Sequence, residues 1–378
     1  MSANFEQVKN WLASSGLYVS DESDTNYGAV NSFFDEKANQ FGFLYPEITG
    51  YYISTMCFLY DKEKNQDYVK KAQSSADWLI KIYERYGGII QGISQDDSKQ
   101  NLVYSFDTAI CVEGLLDYYK ISQNEKYLEY SLKMIDTISN AIEQDGTIRP
   151  FKKTGAQNFE ESSEVWYKQK GCLHIKNAMT FAQLYETTKE EKHLQTAKKI
   201  CDSYAQYQNK DGSISLHKNG KTINLHTLCY ALEGLLYCHH KTKDERYLKY
   251  CTDAVDWCAA KIQGDGSIEL WFNSKHRSKA SYPAAQLMRI MILLDKLQKN
   301  TKYKKHANAL RSFLVSMQAE SGDTKRRGAF YEETYKSLLG WKKREKLNSW
   351  ASMFALQALY WHENYDSVDF GKEIELLY

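Results

Sequence analysis

The sequence predicts an all-α protein folded as an (α/α)6 toroid, in which six inner helices stand inside six outer helices. Two observations lead to this fold class. A short glycine-centred segment recurs about every fifty to sixty residues, a period typical of repeat arrays and closed rings. Between these segments, nearly continuous apolar helices alternate with amphipathic ones.

Each recurring segment combines a turn signal with a brief apolar stretch. Asp-Gly and Gly-Gly favour tight turns, and the Ile, Phe or Leu that follows favours a short extended stretch. The six segments are residues 40–46, 86–92, 144–150, 210–216, 264–270 and 326–332. Because each segment precedes an apolar helix, we expect all the inner helices to begin on one face of the ring.

The helices fall into two classes. The inner candidates are apolar over most of their circumference, which predicts burial on several sides. They are residues 49–61, 106–119, 175–188, 225–238, 282–297 and 348–361. The outer candidates carry lysine and glutamate on one face only. They are residues 4–14, 69–86, 128–144, 194–208, 248–263 and 304–318.

The alternative to a ring is an open solenoid of helical hairpins. An open array leaves one edge of each inner helix in water, whereas the inner helices here are apolar almost all round. The sequence therefore favours closure. No linker or break in composition divides the chain, so we predict a single domain over residues 1–378.

Composition excludes several classes of protein. With 49 basic and 48 acidic residues the formal charge is +1, which indicates neither nucleic-acid binding nor a polybasic membrane anchor. No apolar run approaches the roughly 20 residues that span a bilayer, and residues 1–20 lack the pattern of a secretory signal. The eight cysteines form no CxxC motif and favour free, buried thiols. These features predict a cytoplasmic protein.

Polar residues occupy the predicted start of every inner helix. Around the ring they are Glu47, Asp107, His174 with Lys176, His226, Tyr282, and Asn348 with Trp350. We expect these side chains to converge on a central funnel. Glu47, Asp107 and His226 are the candidate catalytic residues, and the others are candidate substrate-binding residues.

Each of these residues also has a structural interpretation. Asp107 and Asn348 are residue types that cap helices, and Glu47 suits the first turn of a helix that begins at Pro46. His174 and His226 fit buried core histidines. The functional interpretation depends on the same position being polar in every repeat.

The connecting segments add aromatic residues that suit sugar binding. Trp166, Trp271 and Trp341 lie in long connections, which often carry function. Aromatic rings pack on the apolar face of a sugar ring, while nearby polar groups bind its hydroxyls. The sequence contains no dinucleotide, phosphate-loop, zinc-protease or nucleophile-elbow motif. We therefore expect a glycan or sugar as partner, with no metal and no cofactor.

The chain resembles microbial (α/α)6-toroid proteins encoded with surface-polysaccharide genes. The resemblance rests on YPEITGYYISTM, SFDTA, the DGSI turns and LNSWASMFALQAL, and it covers nearly the whole chain. More distantly, the chain is similar to uronyl C5-epimerase helical domains, N-acylglucosamine 2-epimerases, unsaturated glucuronyl hydrolases and prenyltransferase β-subunits. The segment KASYPAAQLM departs from the small-residue helix start expected in its repeat. The resemblance implies a toroid and a glycan context.

Three functions remain open. A glycoside hydrolase would use Glu47 as acid and Asp107 as base, at about the 8–10 Å spacing of neighbouring helices, which suits an inverting reaction. An epimerase or lyase would use His226, His174 or a tyrosine as base. In that enzyme Lys176 or Arg277 would bind a uronate carboxylate. A non-catalytic glycan-binding protein would use the same funnel.

Overall fold

A computed structural model describes residues 1–94, 99–338 and 340–378 of the chain, and helices dominate it. The helices are α1 (Ala3–Ser14), α2 (Pro46–Glu63), α3 (Gln66–Tyr86), α4 (Ser105–Ser122), α5 (Glu125–Ser139), α6 (Asn177–Thr188), α7 (Glu191–Asp202), α8 (Leu225–Thr242), α9 (Glu245–Ala259), α10 (Ser281–Leu297), α11 (Lys304–Met317), α12 (Ser349–Glu363) and α13 (Phe370–Glu373). Short 3₁₀ turns occupy Trp166–Lys168, Cys172–Lys176, Ser203–Gln206, Tyr365–Ser367 and Ile374–Leu376.

The strands are short. They are β1 (Phe33–Asp35), β2 (Gln40–Phe41), β3 (Leu102–Tyr104), β4 (Phe151–Lys153), β5 (Ile223–Asn224), β6 (Trp271–Phe272), β7 (Ser278–Ala280), β8 (Phe330–Tyr331), β9 (Glu333–Ser337), β10 (Gly340–Lys343) and β11 (Lys346–Asn348). All named pairings are antiparallel, in the orders β2-β1-β11-β8, β10-β9-β7, β3-β4 and β5-β6. Because β3, β5, β7 and β11 each run directly into an inner helix, the strands lie where those helices begin.

The inner helices form a closed ring. In the order α2, α4, α6, α8, α10 and α12 each helix contacts the next, and α12 contacts α2. The outer helices α3, α5, α7, α9 and α11 each pack against the inner helix that precedes them, and α1 packs against α12. The predicted (α/α)6 toroid is therefore confirmed, and the open solenoid is excluded.

Inner and outer helices are joined by a repeated turn. The residue that ends the inner helix adopts the left-handed conformation, which reverses the chain. This residue is Lys64, Gln123, Lys189 or Lys243. A polar side chain that follows directly then caps the outer helix in three of these turns. The capping residues are Asn65, Asn124 and Asp244.

The glycine turns hold the outer ring together. Five glycines have φ between +80° and +97°, and a Cβ on any of them would lie 2.0–2.6 Å from a backbone oxygen of an outer helix. These glycines are Gly28, Gly146, Gly212, Gly266 and Gly328. In each case the contacted helix is the next outer helix around the ring. The turn at Gly328 rests on Gln7 of α1 and so joins the last repeat to the first.

Two of the predicted glycine turns differ from this pattern. The prediction that residues 40–46 hold one of the turns is wrong, because the turn that rests on α3 lies at Gly28 and Gly42 has no positive φ. Gly87 ends α3 in the left-handed conformation, but a Cβ there would meet no atom within 4 Å. The contact between turn and outer helix is thus absent at Gly87.

Helices α2 and α4 are in direct backbone contact at two glycines. A Cβ on Gly114 would lie 2.6 Å from the carbonyl oxygen of Gly50, and a Cβ on Gly50 would lie 2.9 Å from the oxygen of Ile110. Backbone thus meets backbone with no side chain between.

The state of the cysteine thiols agrees with the prediction from the sequence. All eight cysteines are buried and free of disulfide bonds, as predicted. Among residues 1–94, 99–338 and 340–378, no helix has the length and apolarity that a membrane crossing requires.

Each inner helix is buried along most of its length, and its apolar side chains join one continuous hydrophobic cluster.

Candidate active site

A cavity of about 260 Å³ opens where the inner helices begin. Seven predicted site residues line it: Glu47, Asp107, Trp166, His174, His226, Tyr282 and Trp350. Because a water molecule occupies about 30 Å³ in the liquid, the cavity has room for a small polar ligand.

Glu47 lies in the first turn of α2, directly after Pro46. The proline fixes the start of the helix, and Tyr45 before it is extended. Glu47 is therefore not the N-cap, and its side chain lines the cavity with only 8% exposure. Burial raises the pKa of its carboxyl to about 7, although the nearby Tyr45 side chain opposes the shift.

Asp107 holds the corresponding place in α4. It follows strand β3, and the N-cap position belongs to the extended residue Tyr104 rather than to Asp107. The carboxyl is 6% exposed and lines the cavity. Burial is the main cause that raises the pKa of Asp107 well above its ordinary value, and the neighbouring Glu47 charge raises it further.

Glu47 and Asp107 therefore act as a coupled pair. The charge of one carboxylate disfavours ionisation of the other, so the pair retains a proton at a pH where isolated carboxyls have lost theirs. A pair with one protonated and one ionised member can donate and accept a proton in the same reaction.

Two neutral imidazoles share the cavity with these acids. Burial lowers the pKa of both His174 and His226 to about 3, so neither carries a charge near neutral pH. His174 is 3% exposed, and neither of its ring nitrogens makes a well-formed hydrogen bond, although the Gln169 backbone lies near enough to oppose the fall in pKa. Its nitrogens are thus available to a ligand.

Aromatic rings form much of the cavity wall. The His226 ring lies 4.2 Å from Tyr230 and 4.6 Å from Tyr282, measured between ring centroids. Phe106 lies 4.8 Å from Tyr230, and Tyr282 lies 6.0 Å from Trp350. Rings that pack on one another in this way are held rigidly. The wall therefore offers fixed apolar faces beside the polar carboxyl and imidazole groups.

Ten residues that line the cavity were not among the candidate site residues: Tyr45, Ile48, Gln91, Tyr104, Phe106, Pro150, Tyr167, Leu173, Tyr230 and Glu332. Tyr230 lies four residues after His226, on the same helix face, so the helical period contained a signal for it. Glu332 lies between strands β8 and β9, far from any inner helix start in the sequence. Burial raises the pKa of Glu332, and the adjacent Glu333 charge adds to the shift.

Five predicted site residues, one of them Lys176, lie outside the cavity lining. Asn348 caps α12, where its side-chain oxygen accepts the Ala351 N–H at 2.9 Å. Trp271 pairs with Asn224 in the β5–β6 ladder. Arg277 is bound to Glu269, with Nε 2.7 Å from Oε2. Trp341 is 40% exposed, and the Lys279 ammonium lies 4.8 Å from its ring centroid.

Lys176 is also misplaced by the sequence analysis. It belongs to the 3₁₀ turn before α6, and its side chain is completely buried. The ammonium lies 3.1 Å from a Glu233 oxygen and 3.8 Å from a Glu113 oxygen. The predicted role in binding a uronate is therefore wrong, because these two acids already surround the ammonium and Lys176 does not line the cavity.

A buried charge network, formed by Glu113, Lys176, Glu233 and Arg289, contains these groups. Arg289 contacts Glu233 at 2.7 Å, and Thr180 donates to Glu113 at 2.7 Å. Two positive and two negative side chains are thus gathered among the inner helices. Burial raises the pKa of Glu113 to about 7, against the opposing effect of Lys176.

Gln286 connects this network to the cavity. Its amide nitrogen lies 3.3 Å from Glu233 Oε1, and its amide oxygen lies 2.6 Å from His226 Nδ1. A carboxylate accepts, so the amide must present its NH₂ to Glu233 and its oxygen to His226. His226 therefore carries its proton on Nδ1, which leaves Nε2 as the unprotonated nitrogen.

In the part of the chain that the structure describes, no three His, Cys, Asp or Glu side chains come together as a metal site. The functional groups that line the cavity include carboxyl, imidazole and aromatic side chains.

The fold is shared with solved structures of low sequence identity. No protein-family model matches the sequence, and no curated protein matches it. Cellobiose 2-epimerase from Bacillus thermoamylovorans superposes with a TM-score of 0.76 at 15% identity, over 97% of this chain and 100% of that one. A D-mannose isomerase gives 0.75 at 13% identity, over 97% and 100%. An unsaturated glucuronyl hydrolase specific for heparin gives 0.71 at 14% identity, over 97% and 98%.

Proposed function

We propose that the protein is a carbohydrate-active enzyme that hydrolyses a glycosidic bond in the cavity, with Glu47 as general acid and Asp107 as general base. The observation that carries this proposal is the pair of carboxyl groups that line one cavity at the starts of neighbouring inner helices, where burial raises the pKa of both. Glycoside hydrolases use two carboxyl groups of different protonation state at one bond.

The proposed reaction uses the two groups on opposite sides of the sugar. Glu47 donates its proton to the glycosidic oxygen as the bond from that oxygen to the anomeric carbon breaks. A water molecule forms the new bond to the anomeric carbon and gives its proton to Asp107. The net change is addition of one water across the glycosidic bond.

The cavity wall and the fold support a sugar substrate. Tyr230, Tyr282 and Trp350 offer aromatic faces beside hydrogen-bonding groups, an arrangement suited to a pyranose ring. The solved structures with the same fold are named as enzymes of cellobiose, mannose and glucuronyl substrates.

The test is a screen of oligosaccharides with three variants. We expect Glu47→Gln and Asp107→Asn each to lower kcat/KM at least about a hundredfold, the lower end of what general acid–base catalysis contributes. Glu125→Gln is the matched control, because Glu125 lies in the first turn of α5 and is not among the lining residues. Full activity in both cavity variants contradicts the proposal, and sugar binding without turnover by the wild type favours a glycan-binding protein.

A second candidate is a sugar epimerase that removes a proton next to a carbonyl. The specific observation in its favour is that His226 holds its proton on Nδ1, so that Nε2 is free to accept one. The two functions differ in their products. An epimerase that exchanges its base with solvent incorporates deuterium at carbon from D₂O, whereas a hydrolase forms no new C–H bond. NMR of the products in D₂O therefore separates them.

A further inference from the structure

The charges that line the cavity are of one sign. Glu47, Asp107 and Glu332 contribute carboxyl groups, and no lysine or arginine is among the described residues that line it. We propose that the sugar ring bound in this cavity carries no negative charge, so that the substrate is a neutral or amino sugar and not a uronate. This inference rests on the proposed sugar-binding function of the cavity.

Two arginines near the site are already paired with acids. Arg289 lies 2.7 Å from Glu233, in the buried charge network and not in the cavity lining. At the rim, Arg344 Nε lies 2.9 Å from Glu333, and Arg344 and Lys346 both act on the adjacent Glu332. These cations offset the charge of rim acids. Neither arginine is therefore free to bind an entering carboxylate beside Glu47 and Asp107.

The cavity is nevertheless equipped to hold a polar molecule. Both ring nitrogens of His174 lack a well-formed hydrogen bond although the side chain is 97% buried, and this side chain lines the cavity. A buried polar group without a partner is costly, and a sugar hydroxyl would supply that partner. His174 and His226 are neutral near pH 7 and offer no positive charge to an acid.

The expected discrimination is large. Like charges brought together in a site shielded from water weaken binding, and a desolvated carboxylate without a cation adds its own penalty. We therefore expect a uronide to bind at least about a hundredfold more weakly than the matched neutral glycoside. An ammonium group in place of a hydroxyl should bind as tightly as the neutral sugar or more tightly.

The experiment measures dissociation constants by NMR titration of the wild-type protein. The probes are methyl glycosides and methyl glycosiduronic acids of gluco, galacto and manno configuration, with the corresponding 2-amino sugars. Leu173→Trp locates the binding, because Leu173 lines the cavity and the larger ring would fill it. Gln91→Arg places a cation in the lining and should reduce the preference against uronides at least about tenfold.

The outcomes separate the two proposals. Weak binding of every uronide, with binding of a matched neutral or amino sugar that Leu173→Trp abolishes, supports the inference. Equal or tighter binding of a uronide that Leu173→Trp abolishes overturns the inference and leaves the sugar site intact. Failure of every probe to bind, up to its solubility, overturns the proposed function together with the inference.

Discussion

Two groups of buried acids lie among the inner helices, and their surroundings differ. Glu47 and Asp107 line the cavity, and each acts on the other as a like charge. Glu113 and Glu233 belong to the buried charge network with Lys176 and Arg289. Similar residues at similar depth therefore repel each other in the cavity and are paired with cations in the buried charge network. Repulsion between buried acids costs stability, and such an arrangement is expected at a site where the protein transfers a proton.

The largest expected effect is a loss of unfolding free energy on substitution in the buried charge network. Glu233→Gln removes the charge that faces both Lys176 and Arg289, and leaves Glu113 as the remaining acid of the network. Breaking a buried ion pair in this way costs about 3–5 kcal/mol of unfolding free energy. Urea denaturation measures the loss, with Glu129→Gln as control, since the Glu129–Lys133 pair is exposed. A loss below about 1 kcal/mol would show that the network is not a tight ion-pair cluster.

A substitution of glutamate by glutamine in the cavity should raise stability near neutral pH instead of lowering it. The folded-state pKa of Glu47, about 7, lies above its ordinary value of 4.5. The folded protein therefore binds more protons than the unfolded chain between these values, and wild-type stability falls as pH rises across that window. Glu47→Gln removes this dependence.

We accordingly expect Glu47→Gln to be more stable than wild type at pH 8. The unfolding free energy of the variant minus that of wild type should be up to about 3 kcal/mol larger at pH 8 than at pH 4. Denaturation curves at the two pH values give this number. The sign is the decisive part of the measurement. If the stability of the variant relative to wild type is lower at pH 8 than at pH 4, the ionised Glu47 carboxylate stabilises the folded protein, contrary to this prediction.

Gln286 tests the connection between the two regions. Gln286→Leu removes the bonds to His226 and Glu233 and should cost about 1–3 kcal/mol, because both partners stay buried. Gln183→Leu is the matched control. Gln183 is equally buried, but its amide has no hydrogen-bond partner, so its replacement should be neutral or stabilising. Equal losses in the two variants would contradict the proposed bridge.

Glu113 should show the smallest effect. Its pKa of about 7 indicates that it is partly protonated near neutral pH, and an amide oxygen can still accept the Thr180 hydroxyl. We expect Glu113→Gln to change stability at pH 6 by no more than about 1 kcal/mol. A calorimetric loss as large as that of Glu233→Gln would show that the two acids share the network charge equally.

The sequence predicted the ring and the acids at its mouth because both depend on local patterns. Helical periodicity separates inner from outer helices, and the first turn of each inner helix faces the funnel by topology. Glu332 and the pairing of Lys176 with Glu233 depend on contacts between distant segments, for which one sequence holds no period. Gly42 was mistaken for Gly28 because the sequence shows a glycine and not its φ angle.

The turn at Gly328 has a consequence for how the molecule unfolds. Open helical arrays fray from their ends, since a terminal repeat has one neighbour instead of two. Here α1 contacts α12, β1 pairs with β11, and the Gly328 turn rests on Gln7. The first and last repeats are therefore held from both sides, like those in the middle. Amide hydrogens in α1 and α12 should exchange with solvent as slowly as those of the other helices in their own ring, and unfolding should be a single cooperative event.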